Sequence, residues 1–196
     1  MTVNSSVNKQ FEKIFDVFNK EFFNAELEIP LFRFENRCSK DGAFISNAII
    51  NQGTTYSHEI IIPIDILNEK IDVVAACILH NMIHYYAYIN DFKVSSRGER
   101  NDCYHSKKFK SIAEDCGLTS KYNDKSGWVT YTNRNFAESC KIYDFKKTWK
   151  NRYTVDKNLK TNNSKKYICP CCGTIIRATR FVNVVCGDCN EKFVIE

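Results

Sequence analysis

Residues 71–90, IDVVAACILHNMIHYYAYIN, are the most restrictive stretch of the chain, running twenty positions without a glycine or a proline. The run is long enough for a helix and apolar enough for that helix to be buried. Other elements must then cover it. Val7, Phe11, Ile14, Phe15, Phe18 and Phe22 recur in steps of three and four. That spacing predicts a helix over 7–24, with Ser5 or Ser6 as its cap. Leu31–Glu35, Ala43–Ile50 and Glu59–Pro63 read as short strands of one small sheet. The last, EIIIP, is β-branched and stops at proline. After a polar loop at 91–104, a short helix fits Ser106–Cys116, closed by Gly117. SGWVTYT over 126–132 reads as a strand, and residues 133–153 give no clear pattern.

Composition narrows the class. The 196 residues are 43% apolar, with 14 Phe and 10 Tyr but only 7 Gly and 3 Pro. This suits one ordinary domain plus a small appendage and excludes a fibrous or disordered chain. The start, MTVNSSVNKQFEKIF, lacks a secretory pattern, and no stretch reaches the ~18 apolar residues of a membrane span. A cytoplasmic protein with no membrane partner is the expectation. Charge is uneven: residues 1–145 carry 17 Lys+Arg against 19 Asp+Glu, and residues 146–196 carry 11 against 4. A basic tail favours an acidic partner such as DNA, or is simply a solvated, lysine-rich linker.

The chain has four histidines. His80 and His84 stand four apart within the 71–90 run, so both leave one helical face a turn apart. His105 follows just before the next predicted helix. Three neutral imidazoles on a metal leave one tetrahedral position open, the mark of a catalytic rather than a structural zinc site. A single histidine on an apolar helix is usually a core residue with its hydrogen bonds met; an i, i+4 pair is harder to explain that way. His58 fits no such pattern and reads as a strand or surface residue.

Five of the ten cysteines fall in the last 28 residues. YICPCCG and VCGDC give Cys169-x₂-Cys172, thirteen intervening residues, and Cys186-x₂-Cys189. In a reducing compartment this is metal spacing rather than a disulfide framework. Four thiolates close a tetrahedron, so a zinc ion here is structural. Gly173 and Gly187 are placed for positive φ in the two turns, and the residues between the pairs, TIIRATRFVNVV, are expected to form a hairpin. Cys171 is spare and is expected to point away. Cys38, Cys77, Cys103, Cys116 and Cys140 read as small buried residues, with Cys103 lying closest to the histidines. Lys165, Lys166, Arg177 and Arg180 are candidate phosphate contacts.

ILHNMIHYY resembles the active-site helix of SprT-like (SprT/Spartan) zinc metallopeptidases, whose motif is H-E-x-x-H. FFNAEL at 22–27 is similar to the family's F-N-x-x-L. EIIIP matches the strand before the motif helix, and YHSKKFKSIAEDCGL at 104–118 matches the element that carries the third ligand. The resemblance covers roughly residues 10–120 and is nearest to bacterial and mobile-element members with a C-terminal CPxCG ribbon. It implies His80, His84 and His105 as metal ligands, and hydrolysis of protein substrates, in the Spartan branch those bound to DNA.

One position departs from that pattern: the motif glutamate is Asn81. In the family the glutamate takes a proton from the attacking water and later delivers it to the leaving amine. An amide has no usable pKa for this. Three accounts compete: a natural pseudo-peptidase, a residue introduced to silence the chain, or a base recruited from Asp91, Glu99 or Asp102. Tyr85, Tyr86 and Tyr104 flank the ligands and are read as packing residues.

The expectation is therefore an α+β chain. A zincin-like metallopeptidase domain spans 1–150, a linker 151–164 and a four-cysteine zinc ribbon 165–196, with two zinc ions per chain. It acts on protein substrates near DNA, with catalysis impaired by Asn81. The rival readings are a non-catalytic zinc-containing module that binds DNA or protein, and a purely structural two-zinc protein.

Overall fold

A computed structural model describes residues 5–36, 39–50, 55–97, 103–149 and 165–195. The chain divides into two compact units, Met1–Val155 and Asp156–Glu196. The expected linker at 151–164 lies outside the described residues, as do Cys38, Glu99 and Asp102.

The first unit is built around α2 (Ile71–Ile89). Val74, Ala75, Ile78, Leu79, Met82 and Ile83 are wholly buried and point in several directions around the helix, as the sequence of an all-round apolar helix demands. One flank is covered by α1 (Ser5–Phe22), whose Val7, Phe11, Ile14, Phe15 and Phe18 form a fully buried stripe. Ser5 and Ser6 lie inside α1 rather than capping it, so the helix starts earlier than its apolar spacing indicates. Near its end, buried Asn19 donates to the Leu27 carbonyl (2.8 Å) and accepts from the Leu27 amide (3.1 Å), which ties down the FFNAEL turn.

A three-stranded sheet in the order β1-β3-β2 packs beside these helices. It comprises β1 (Leu31–Glu35), β2 (Ala43–Ile50) and β3 (Thr55–Pro63), with β1 parallel and β2 antiparallel to β3. The strand ending in EIIIP begins at Thr55, earlier than its β-branched run, and Pro63 hands the chain to a 3-10 turn at Ile64–Asn68.

A second sheet, order β4-β5-β7-β6, holds β4 (Ser95–Arg97), β5 (Cys103–His105), β6 (Thr119–Asn123) and β7 (Gly127–Tyr131). Of these, only β7 was legible as a strand. Between β5 and β6 runs α3 (Lys107–Asp115). The Ser106 hydroxyl accepts from the Phe109 amide at its start. At its end Gly117 adopts φ +85°, and the Leu118 amide reaches back to the Ala113 carbonyl (2.9 Å), which is a glycine stop of the Schellman kind.

The ambiguous stretch after 133 contains α4 (Arg134–Ile142), capped by Asn133, whose Oδ1 accepts from the Phe136 amide (2.8 Å). Beyond it, buried Phe145 and Trp149 complete the core, and Trp149 Nε1 donates to the Leu67 carbonyl (2.7 Å).

The second unit is a small antiparallel sheet of β8 (Lys165–Ile168), β9 (Ile175–Ala178) and β10 (Val194–Ile195), in the order β10-β8-β9. The expected hairpin between the two cysteine pairs is not what forms. Ile175–Ala178 pairs back with Lys165–Ile168, so the first cysteine turn is itself the hairpin bend.

Candidate metal centres

His80 and His84 leave one side of α2, and β5 brings His105 to meet them. One ligand-capable atom from each of the three lies within 4.8 Å of the other two. His84 Nε2 and His105 Nε2 are 3.1 Å apart. His80 Nδ1 is 3.1 Å from the Thr130 hydroxyl on β7, an outer partner that fixes the ring and leaves Nε2 for the cluster. Phe109, one turn into α3, lies under all three rings. Its centroid is 4.1 Å from that of His105, 4.9 Å from His80 and 5.2 Å from His84.

His105 is held by backbone. Its amide donates to the Ser126 carbonyl (3.0 Å), and it sits opposite Gly127 in the β5–β7 register. Gly127 adopts φ +69°, and a Cβ there would collide with the His105 carbonyl. Only glycine lets the strands approach this closely.

Burial keeps the imidazoles neutral. It lowers His80 well below the usual histidine range, with His84 and His105 adding to the effect. Burial, with His105 nearby, takes His84 down to about 3. His105 falls to about 4 through burial, opposed by the nearby Trp128 backbone. Neutral rings whose lone pairs converge suit a cation such as zinc. Two nitrogens on one tetrahedral zinc stand about 3.4 Å apart at the usual bond length, close to the 3.1 Å observed. The donor set fits the ion.

Asn81 is buried on the neighbouring side of α2. Its Nδ2 donates to the carbonyls of Asp41 and Cys77, each at 2.8 Å. Cys77 Sγ also donates to the Asp41 carbonyl (3.5 Å). Gly42, at φ +80°, presses against this point; a Cβ there would collide with the Ile61 carbonyl and come 2.9 Å from Asn81 Nδ2. The amide thus fastens the 39–42 turn to the helix that carries the histidines.

Asn81, Asp41 and the three histidines line one open cleft of about 1010 Å³, together with Lys40, Ser95 and Cys103. Burial raises the Asp41 carboxyl above its usual range, with Lys40 opposing. Of the proposed substitute bases, Asp91 is exposed and stands at the end of α2 at φ +51°. Tyr85 is buried and packs on Phe44 and His58, a packing role like the one expected. Cys77, Cys116 and Cys140 are buried as expected, whereas Cys103 is exposed on the short strand β5 and faces the cleft.

In the second unit, one sulfur from each of Cys169, Cys172, Cys186 and Cys189 lies within 4.8 Å of the others. Cys172 Sγ and Cys186 Sγ are 3.7 Å apart; two thiolates on one tetrahedral zinc stand about 3.8 Å apart. The two turns match. The Gly173 amide donates to the Cys169 carbonyl (3.0 Å) and the Asn190 amide to the Cys186 carbonyl (2.8 Å). Positive φ falls on Gly173 and Asn190, not on Gly187 as expected. Asparagine is among the few residues that tolerate it. Hydrogen bonds from the Thr174 side chain and backbone bring the Cys172 thiol down to about 6. Cys171 is exposed and stands outside the group of four.

The basic residues do not form one cluster. Lys166 and Arg177 are directly opposite on β8 and β9 and share a face, while Lys165 belongs to the other face and sits 3.5 Å over the Phe181 ring. Arg180 is exposed beyond β9.

Fold and site together define a mixed α+β protein with a three-histidine cluster borne on its central helix and four clustered cysteines that can form a zinc ribbon. The SprT-like family model matches residues 11–126. The chain belongs to that zincin-like family. Searches of curated proteins and of solved structures each return no match. Among the described residues, no helix is long and apolar enough to cross a membrane.

Proposed function

We propose that this chain is a SprT-like zinc protein that engages protein substrates near DNA and hydrolyses them poorly, because Asn81 stands where a general base is needed. His80, His84 and His105 hold one ion, and Cys169, Cys172, Cys186 and Cys189 hold a second that supports the ribbon. The observation that carries the reading is the convergence of three neutral imidazoles in an open cleft within a family match over 11–126. When bound there, zinc supplies Lewis acidity toward a substrate carbonyl and acidifies water.

The chain's own residues do the rest. Thr130 and Phe109 fix the rings, and burial keeps them neutral. Asn81 gives both amide protons to backbone carbonyls and has no basic site to accept a proton from water. That removes a contribution worth ~10²–10⁴-fold.

Lys166 and Arg177, which share one face, and the exposed Arg180 supply the phosphate contacts of the second unit, with Lys165 on the other face beside Phe181. The rival, a non-catalytic binding module that keeps its metal for stability, draws on the same amide.

The test is hydrolysis of an unfolded protein, with and without DNA, by this chain and by Asn81→Glu. The expected result is a rise of at least ~10²-fold in the variant, abolished by a chelator. Strong chelator-sensitive proteolysis by the Asn81 protein itself would contradict the reading, since another residue would then supply the base. An inactive Asn81→Glu protein that folds and binds metal would favour the non-catalytic module.

A further inference from the structure

We propose that Cys103 is a fourth donor to the histidine cluster, able to close it as a site of three imidazoles and one thiolate. This rests on the reading that His80, His84 and His105 hold an ion.

Cys103 and His105 stand two apart on β5, and residues two apart on a strand point to the same face. Cys103 Sγ lies 3.6 Å from His105 Nε2. A nitrogen and a sulfur sharing one tetrahedral zinc, with bonds of about 2.05 and about 2.3 Å, stand about 3.6 Å apart. The same nitrogen lies 3.1 Å from His84 Nε2. His105 Nε2 thus has one nitrogen and one sulfur near it, both close to ligand-to-ligand spacing.

The thiol is no core filler. It is exposed and lines the cleft. It stands outside the three-atom group confined within 4.8 Å, so closing the site takes a rotation of its side chain toward His80 and His84.

Two arrangements follow. In one the thiol stays beside His105, lining the cleft, and the fourth position is open to solvent. In the other the S–H bond breaks, its proton passes to bulk water, and the sulfur bonds the ion in the position that water would otherwise take. Together with the amide at 81, the closed arrangement makes a centre that resists hydrolysis.

The test uses the full chain loaded with Co²⁺ under anaerobic, thiol-free conditions. Sulfur-to-cobalt absorption in the near ultraviolet should report five thiolates in the unaltered chain and four in Cys103→Ser. The histidine site of Cys103→Ser should bind Co²⁺ at least ~10-fold more weakly, since even outer-shell changes cost ~10–100-fold. Cys103→Ala should behave alike, and Cys171→Ser should change neither quantity. Two cobalt ions per chain with an unchanged spectrum and affinity in Cys103→Ser would overturn the assignment of Cys103 alone. One ion per chain, with a spectrum indifferent to His84→Ala, would overturn the histidine site and this inference with it.

Discussion

Asn81 is a buried amide with both protons committed, to the carbonyls of Asp41 and Cys77. At the scale of single residues this gives it a positive role: it fastens the 39–42 turn to the helix that carries His80 and His84, which a carboxylate, having no protons to give, cannot do. The cost of Asn81→Glu therefore falls on stability while its benefit falls on proton transfer, and the two are measured separately. If Cys103 also closes the site, Asn81→Glu combined with Cys103→Ser should hydrolyse faster than Asn81→Glu alone. The histidines set a pH dependence. Burial holds His84 near 3 and His105 near 4 and lowers His80 well below its ordinary value, while the unfolded chain titrates near ~6.5. The unfolded state thus binds more protons below that pH, so stability is fully present above ~6.5 and is lost as pH falls toward the folded values. For a group such as His84 the loss by pH 5 is about 2 kcal/mol. Urea unfolding of the metal-stripped chain, followed through Trp128 and Trp149, should show that decline, and a flat profile from pH 7 to 5 would contradict it.

At the scale of elements, β5 and β7 decide whether His105 meets the helix. Gly127→Ala would drive a Cβ into the His105 backbone and force an L residue into positive φ, at a cost of roughly 1 kcal/mol or more. It should weaken metal binding at the histidine site by at least ~10-fold and leave the ribbon's ion untouched; competition with a chromophoric chelator reads both. Legibility differed by element for physical reasons. His80 and His84 were visible because i, i+4 spacing on an apolar helix is a local signal. Phe109 gave no such signal, since His105 ends strand β5 and Phe109 lies on α3, so no single period links the two. Thr130 and the 39–42 turn gave none either, since they approach the site from some 40 to 50 residues away in the chain. The helix α4 buries Phe136 and Cys140 in a single short span, too few repeats to show a period. The ribbon hairpin was misplaced because a strand's own pattern does not say which neighbour it pairs with. The short strands β4 and β5 carry no alternation long enough to read.

At the scale of the whole molecule, two compact units carry separate donor sets, and basic charge gathers in a segment that begins shortly before the boundary between them. Residues 146–196 hold 11 Lys+Arg against 4 Asp+Glu, so DNA binding should fall with rising salt and with removal of that segment. Fluorescence titration of 1–155, which ends with the first unit and keeps the buried Trp149, against the full chain checks the second unit's share; equal affinity would place the contacts in the first unit. Replacing Cys186 and Cys189 should unfold the second unit, since so small a core gains its fold from a bound ion, and the first unit, with its own apolar centre, should outlast it. The most direct measurement of the account is the metal content of the purified full chain by elemental analysis. The account predicts two zinc ions per chain, falling to one in His84→Ala and to one in Cys186→Ser with Cys189→Ser. One ion per chain, unchanged by His84→Ala, would contradict it.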